Sequence, residues 1–293
     1  MTHWKLTLSY DGSSFHGWQV QPGLVTVQGT LASALRSITG KPVMPQGSGR
    51  TDSGVHALAQ VASFALESSV PAPNLLRALN HALPPSIRIL AAEQVDGSFH
   101  ARHSARGKTY EYRLFQRRVR ESDSDRICPP FLAPYVWDCR WALEFEPMQE
   151  AAHLLCGTHD FSSFAASDPE RGLREQEAES DGPQGPNPVK ILLRSEWVRE
   201  NELLVYRVTG SGFLHHMVRN IVGTLVDVGR GSLQVEDILR ILAARDRTAA
   251  GPTAPACGLF LHSVEYGPFD SLISSDRDEF QPAHRKNKQQ QKP

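Results

Sequence analysis

Apolar and polar residues alternate near the start of the chain. Trp4, Leu6, Leu8 and Tyr10 stand against Lys5, Thr7 and Ser9, the two-residue period of a half-buried strand. From Thr26 the period lengthens. Val27, Leu31, Ala34, Leu35 and Ile38 form a helical stripe that stops at Gly40. A short strand is predicted near 42–47 and another over 57–65, with a polar, glycine-rich loop between them. Residues 71–82 read as a helix with Leu75, Leu76, Leu79 and Ala82 on one side, and Ile87, Ile89 and Ala91 open a further strand. The order is β-α-β-loop-β-α-β, a ferredoxin-like arrangement.

The second half repeats that order without visible sequence identity. Strands are predicted over 108–115, 189–198, 203–209 and 259–266, with helices over 148–156, 212–228 and 234–244. The expected fold class is α+β: two ferredoxin-like halves, antiparallel sheets flanked by helices, and a ligand cleft between them. The halves fall at 1–105 and 106–267. Residues 165–188 are dense in acid, proline and glycine and read as a surface insertion. Residues 268–293, with His284-Arg285-Lys286-Asn287-Lys288, read as a disordered basic tail.

Composition narrows the class. A 293-residue chain with 40% hydrophobic and 22% charged residues is that of a globular protein with ample core. No apolar run reaches membrane-spanning length, and the N-terminus lacks a signal-peptide pattern, so a cytoplasmic protein is expected. Cys128, Cys139, Cys156 and Cys257 form no C-x-x-C pair, which points to reduced thiols without zinc. His215 and His216 are adjacent; on a helix they would point about 100° apart, away from a shared metal. The net charge of −1 argues neither for nor against a nucleic-acid partner, because it averages over local patches.

The candidate chemistry lies in Gly47-Ser48-Gly49-Arg50-Thr51-Asp52-Ser53-Gly54-Val55-His56-Ala57. A hairpin turn with solvated charges is one reading. The loop fits neither phosphate-cradling motif: Asp52 stands where a dinucleotide fingerprint needs glycine, and Arg50-Thr51 where a P-loop needs Gly-Lys. No neighbouring acid completes a Mg²⁺ site. A lone carboxylate beside an arginine suits attack on an electrophilic carbon, or proton transfer.

Two more features bear on it. On the predicted helix 212–228, Phe213, Leu214, Met217, Val218, Ile221, Leu225 and Val228 share one arc, and Arg219 falls off it. Arg219 is either solvated or reaches across the cleft to pair with Asp52. Between Phe99 and Arg113, cations interleave with aromatics, and Arg117, Arg118 and Arg120 continue the run. Charge for phosphates and ring faces for unpaired bases are what RNA recognition needs. Tyr110 and Tyr112 share a strand face, as core residues or as a stacking platform.

Together these segments resemble the tRNA pseudouridine synthase A (TruA) family. The matching pieces are Tyr10-Asp11-Gly12, Phe15, Gly17-Trp18-Gln19, Thr26-Val27-Gln28-Gly29, Gly49 to Ala57, Phe99-His100-Ala101-Arg102, Lys108-Thr109-Tyr110, Phe213 to Asn220, and Gly258 to Leu261. The resemblance spans residues 3–267 in order, with Ser53 standing where alanine is common. It implies a homodimeric isomerase without metal or organic cofactor that converts uridine to pseudouridine at positions 38 to 40 in the anticodon stem-loop of tRNA. It places the catalytic aspartate at Asp52, the base-stacking tyrosine at Tyr110 and the cleft arginines at Arg50 and Arg219. Two rival readings remain: a non-catalytic RNA-binding protein of the same fold, and an Asp-nucleophile hydrolase. The second would usually need another catalytic carboxylate or a metal.

Overall fold

The computed structural model describes residues 1–67, 70–119, 125–166 and 187–267. Arg120, the expected tail from 268, and all but the ends of the expected insertion at 165–188 lie outside the described residues. Strand β1 (Thr2–Tyr10) forms where the alternation predicts it, with Trp4, Leu6, Leu8 and Tyr10 buried. Full burial of one such side chain contributes about 1.5–3 kcal/mol. Helix α1 (Val27–Thr39) buries Val27, Leu31, Ala34 and Leu35. Thr26 Oγ1 accepts from the Gly29 amide at 3.3 Å at its start, and Gly40 at φ 70° ends it. Strand β2 is only Gln46–Gly47, shorter than the 42–47 expected, because Pro42 and Pro45 have no amide to give a ladder. Strand β3 (His56–Leu66), helix α2 (Ala72–Ala82) and strand β4 (Ile87–Val95) complete this half.

The second half opens with β5 (Gly107–Gln116) and β6 (Trp137–Cys139), the latter too short to show a period. Helix α3 (Phe145–His153) starts three residues before the expected 148, and β7 (Gly157–Asp160) follows it directly after the expected helix end at 156. Strands β8 (Val189–Glu200) and β9 (Leu203–Gly210) form the predicted hairpin. Helix α4 (Met217–Gly229) begins five residues later than the predicted 212, and α5 (Asp237–Ala244) and β10 (Leu259–Glu265) follow.

The antiparallel strands expected in each half run together into a single sheet. One sheet runs β4-β1-β3-β10-β5-β9-β8-β7, with β2 branching from β3 and β6 from β5. Its halves join through β3 and β10, which run parallel, with Phe260 opposite His56 and Leu261 opposite Ala57. Strands β5 and β6 are also parallel. The joint has a plain cause: β3 and β10 would otherwise each leave an edge of unpaired backbone groups beside the core. Among the described residues, no helix is long and apolar enough to cross a membrane, and all four cysteines are free.

Candidate active site

The glycine loop between β2 and β3 is tied down along its length. Its first residue past β2, Ser48, donates its amide to Val61 O (2.8 Å) and its hydroxyl to Gln60 Oε1 (2.6 Å). Gln60 Nε2 in turn donates to Gly49 O at 2.9 Å. The Thr51 carbonyl accepts from the Trp18 amide at 3.0 Å, and Thr51 Oγ1 meets Tyr10 Oη at 2.8 Å. Gly17, at φ 82°, lies against that carbonyl, where a Cβ would fall 2.5 Å from the oxygen. Beyond Asp52, His56 is stacked on Phe260 with centroids 4.7 Å apart, and its Nδ1 accepts from the Gly12 amide at 3.1 Å. The glycine- and aromatic-rich segment after β1 is therefore a buttress for this loop.

Helix α4 brings the partners of Asp52. Arg219 Nη1 donates to Asp52 Oδ2 at 3.0 Å across 167 residues of sequence, and its Nε donates to Ala254 O at 2.8 Å. The arginine is thus oriented from two sides and is not solvated. The two histidines overturn their expected divergence. Because α4 begins only at Met217 and His216 adopts a left-handed φ of 57°, they are not on a helix. Their rings stack 3.9 Å apart, His216 Nε2 lies 3.3 Å from Asp52 Oδ2, and His215 Nε2 lies 3.7 Å from Oδ1. Donor atoms of these three residues gather within 4.8 Å of one another. The cation beside the carboxylate is nevertheless the Arg219 guanidinium, whose charge would repel a divalent ion in the same space. We therefore read the group as an Asp52–Arg219 ion pair flanked by two imidazoles. Burial lowers the His216 pKa below its usual value; Asp52 opposes that, and His215, Arg219 and Arg247 reinforce it.

Asp52 and Arg219 open onto a cavity of about 220 Å³. Tyr110 forms part of its wall, only 8% exposed, with its ring edge-on to Phe213 at 4.9 Å. Burial raises the Tyr110 pKa, with Tyr10 and Asp52 adding to the effect. Tyr112, by contrast, belongs to the core, fully buried, its hydroxyl donating to Pro255 O at 2.9 Å. Arg50 lines the same cavity, so all four residues singled out from sequence surround one space. Arg102 and Lys108, expected only as part of a general RNA-recognising run, and the two histidines, expected to play no part, also line it. Arg102 and Lys108 come from the cation-aromatic run, and the histidines follow Leu214. Lys108 Nζ donates to Ser48 O at 2.7 Å, and burial, with Arg102 and Lys190 nearby, lowers its pKa to about 8. Its alternation with Tyr110 on β5 was the available signal.

A family model described as "tRNA pseudouridine synthase" matches residues 7–104 and 151–267. The chain is similar to proteins named tRNA pseudouridine synthase A from three bacteria. The one from Solibacter usitatus is 50% identical over 89% of this chain and 98% of its own length. The one from Lacticaseibacillus casei is 43% identical over 91% and 100%, and that from Moorella thermoacetica 43% over 89% and 98%.

Proposed function

This chain belongs to the tRNA pseudouridine synthase family, and on that premise we propose that it isomerises uridine to pseudouridine at positions 38 to 40 of the tRNA anticodon stem-loop, with Asp52 as its catalytic group. The observation that carries the assignment is the Asp52–Arg219 ion pair at 3.0 Å on the wall of a cavity also lined by Tyr110 and by the cations Arg50, Arg102 and Lys108.

The reaction breaks the bond from ribose C1′ to N1, turns the uracil and rejoins it through C5. Those atoms are out of reach in a stacked stem, so the nucleotide must be flipped out at a cost of a few kcal/mol. Stacking on Tyr110 returns about 1–3 kcal/mol of that cost. The carboxylate of Asp52, held from one side by Arg219, acts on the ribose or the ring. Arg50, Arg102 and Lys108 supply positive charge for the RNA backbone. On this assignment Tyr110→Phe keeps the affinity for tRNA, whereas Tyr110→Ala weakens it by about 1–3 kcal/mol in a filter-binding titration. Equal affinities for the two variants would remove the stacking role.

The finer architecture belongs to the same proposal. We read 1–105 and 106–267 as two ferredoxin-like units. Supporting this are the matching strand orders β4-β1-β3-β2 and β10-β5-β9-β8, each pairing within them antiparallel. The family resemblance supports a homodimer, which light scattering would register as twice the 32.4 kDa chain mass.

The decisive assay uses unmodified tRNA carrying tritium at uridine C5, with a chelator present. Release of tritium matched by pseudouridine is the expected result. Salt-dependent binding of tRNA without release would mark a non-catalytic RNA-binding protein instead.

A further inference from the structure

Isomerisation leaves one proton to be moved. Breaking N1–C1′ leaves the bond's electron pair on the uracil ring, which rejoins C1′ through C5. C5 then carries both its hydrogen and the ribose, while N1 is unprotonated. Loss of the C5 proton returns its electron pair to the ring, and N1 gains a proton, so none is consumed overall. A side chain that accepts the first proton and can supply the second completes the reaction.

We propose that His216 is this proton carrier, taking the proton from C5 and returning one to N1. The inference rests on the proposed function and extends it to a residue outside the Asp52, Arg219, Tyr110 and Arg50 set. Its geometric basis is the 3.3 Å between His216 Nε2 and Asp52 Oδ2 in the wall of the same cavity. The carboxylate acts beside C1′, and C5 becomes bonded to C1′, so a group next to Asp52 is next to the C5 proton when it must leave. The backbone points the same way. His216 holds φ 57° in front of α4, a conformation uncommon outside glycine that histidine, like asparagine and aspartate, adopts more readily than other residues. Such departures cluster at functional sites. Here the turn folds the imidazole back towards the glycine loop.

The other groups in the cavity suit this task less well. The buried Tyr110 phenol keeps its proton at neutral pH. The Lys108 ammonium donates to Ser48 O, and arginine offers no acceptor. Asp52 is bonded by Arg219. His215 Nε2 stands farther from the carboxylate, at 3.7 Å, and its Nδ1 is buried without a partner. The charged and titratable groups facing His216 are Asp52, His215, Arg219 and Arg247. Burial, with His215, Arg219 and Arg247, lowers its pKa against the opposing charge of Asp52, and in the neutral ring Nε2–H faces the carboxylate while Nδ1 is the acceptor.

The test uses the full chain and unmodified tRNA bearing protium or deuterium at uridine C5. His216→Asn suits the left-handed backbone and cannot carry a proton; His216→Gly repeats the experiment if the first variant fails to fold. The expected result has four parts: tRNA affinity is unchanged, kcat falls about 10²-fold, the C5 deuterium isotope effect rises above that of the wild type, and added imidazole restores part of the rate. The wild-type rate should decline with acid below the usual histidine pKa of 6.5, since the folded pKa is lowered from it, and that limb should vanish in the variant. A variant as fast as wild type overturns the proposal. So does a slow variant with an unchanged isotope effect and no imidazole rescue, which is what a merely structural role would produce. A wild-type protein that makes no pseudouridine would instead overturn the proposed function itself.

Discussion

Asp52→Asn is expected to abolish pseudouridine formation, lowering the rate by at least about 10⁴-fold, as removal of a catalytic nucleophile does elsewhere. Binding of tRNA should stay close to the wild-type affinity. The substitution changes one atom's chemistry and almost none of the shape. An asparagine oxygen can still accept from Arg219 Nη1, and the bond from Arg219 Nε to Ala254 O does not involve residue 52 at all. The loop around it is held by Ser48, Gln60, Thr51 and Trp18 through bonds that the variant leaves untouched. The Arg219 and Asp52 side chains are 15% and 23% exposed, so the pair is partly buried and loss of the carboxylate charge should lower stability, while the asparagine oxygen keeps Arg219 a partner. What disappears is a negative oxygen able to act on the ribose or the ring. Tritium release measured beside a binding isotherm separates the two effects. A fully active Asp52→Asn protein would falsify the assignment of Asp52.

The largest expected loss of stability comes from a single methyl group. In α4, a Cβ on Gly223 would overlap the Pro252 carbonyl oxygen and lie 2.9 Å from its carbon. Both are backbone atoms, so no rotamer change relieves the contact. The helix itself would gain about 1 kcal/mol from alanine in place of glycine. That gain is outweighed because residues 251–254 are clasped to α4 all along this contact. The Gly251 amide donates to Thr224 Oγ1 (2.9 Å), Thr253 Oγ1 to Asn220 Oδ1 (2.6 Å) and the Ala254 amide to Arg219 O (3.1 Å). Moving the segment away strains every one of these bonds, Arg219 Nε to Ala254 O included. Gly223→Ala should therefore lose about 3 kcal/mol or more in urea denaturation, beyond the ordinary range for overpacking. Its catalytic rate should fall too, since Arg219 loses one of its two anchors. A change under about 1 kcal/mol would mean that the segment yields freely.

The two substitutions probe different layers of the molecule, and they differ in how visible their sites are in the chain. Asp52 stands in a motif whose residues by themselves exclude the phosphate-cradling loops. Gly223 looks like an ordinary helix residue, because nothing nearby in sequence announces that Pro252 will press against it. The same contrast separates Tyr110 from Tyr112: one strand, the same alternation, yet one ring lines the cavity and the other lies fully buried beneath residues 255–258. Only the segment that covers each ring tells them apart.

From the sequence alone follow the periodic elements β1, α1, α2, β5, β8 and β9, because burial on one face imposes a two- or 3.6-residue repeat on any chain that folds this way. The glycine-rich motif and the cation-aromatic run follow as well, since their chemistry is local. Tertiary structure decided what depends on distant partners. It joined the halves into one sheet through β3 and β10, placed Arg219 at Asp52 across 167 residues, and started α4 at Met217. That late start turned the two histidines onto the carboxylate, whereas a helical reading kept them apart. The physical reason is common to all three. Periodicity records whether a residue is buried, but which atom it meets is set by closure of the chain, and short-range pattern carries no trace of that.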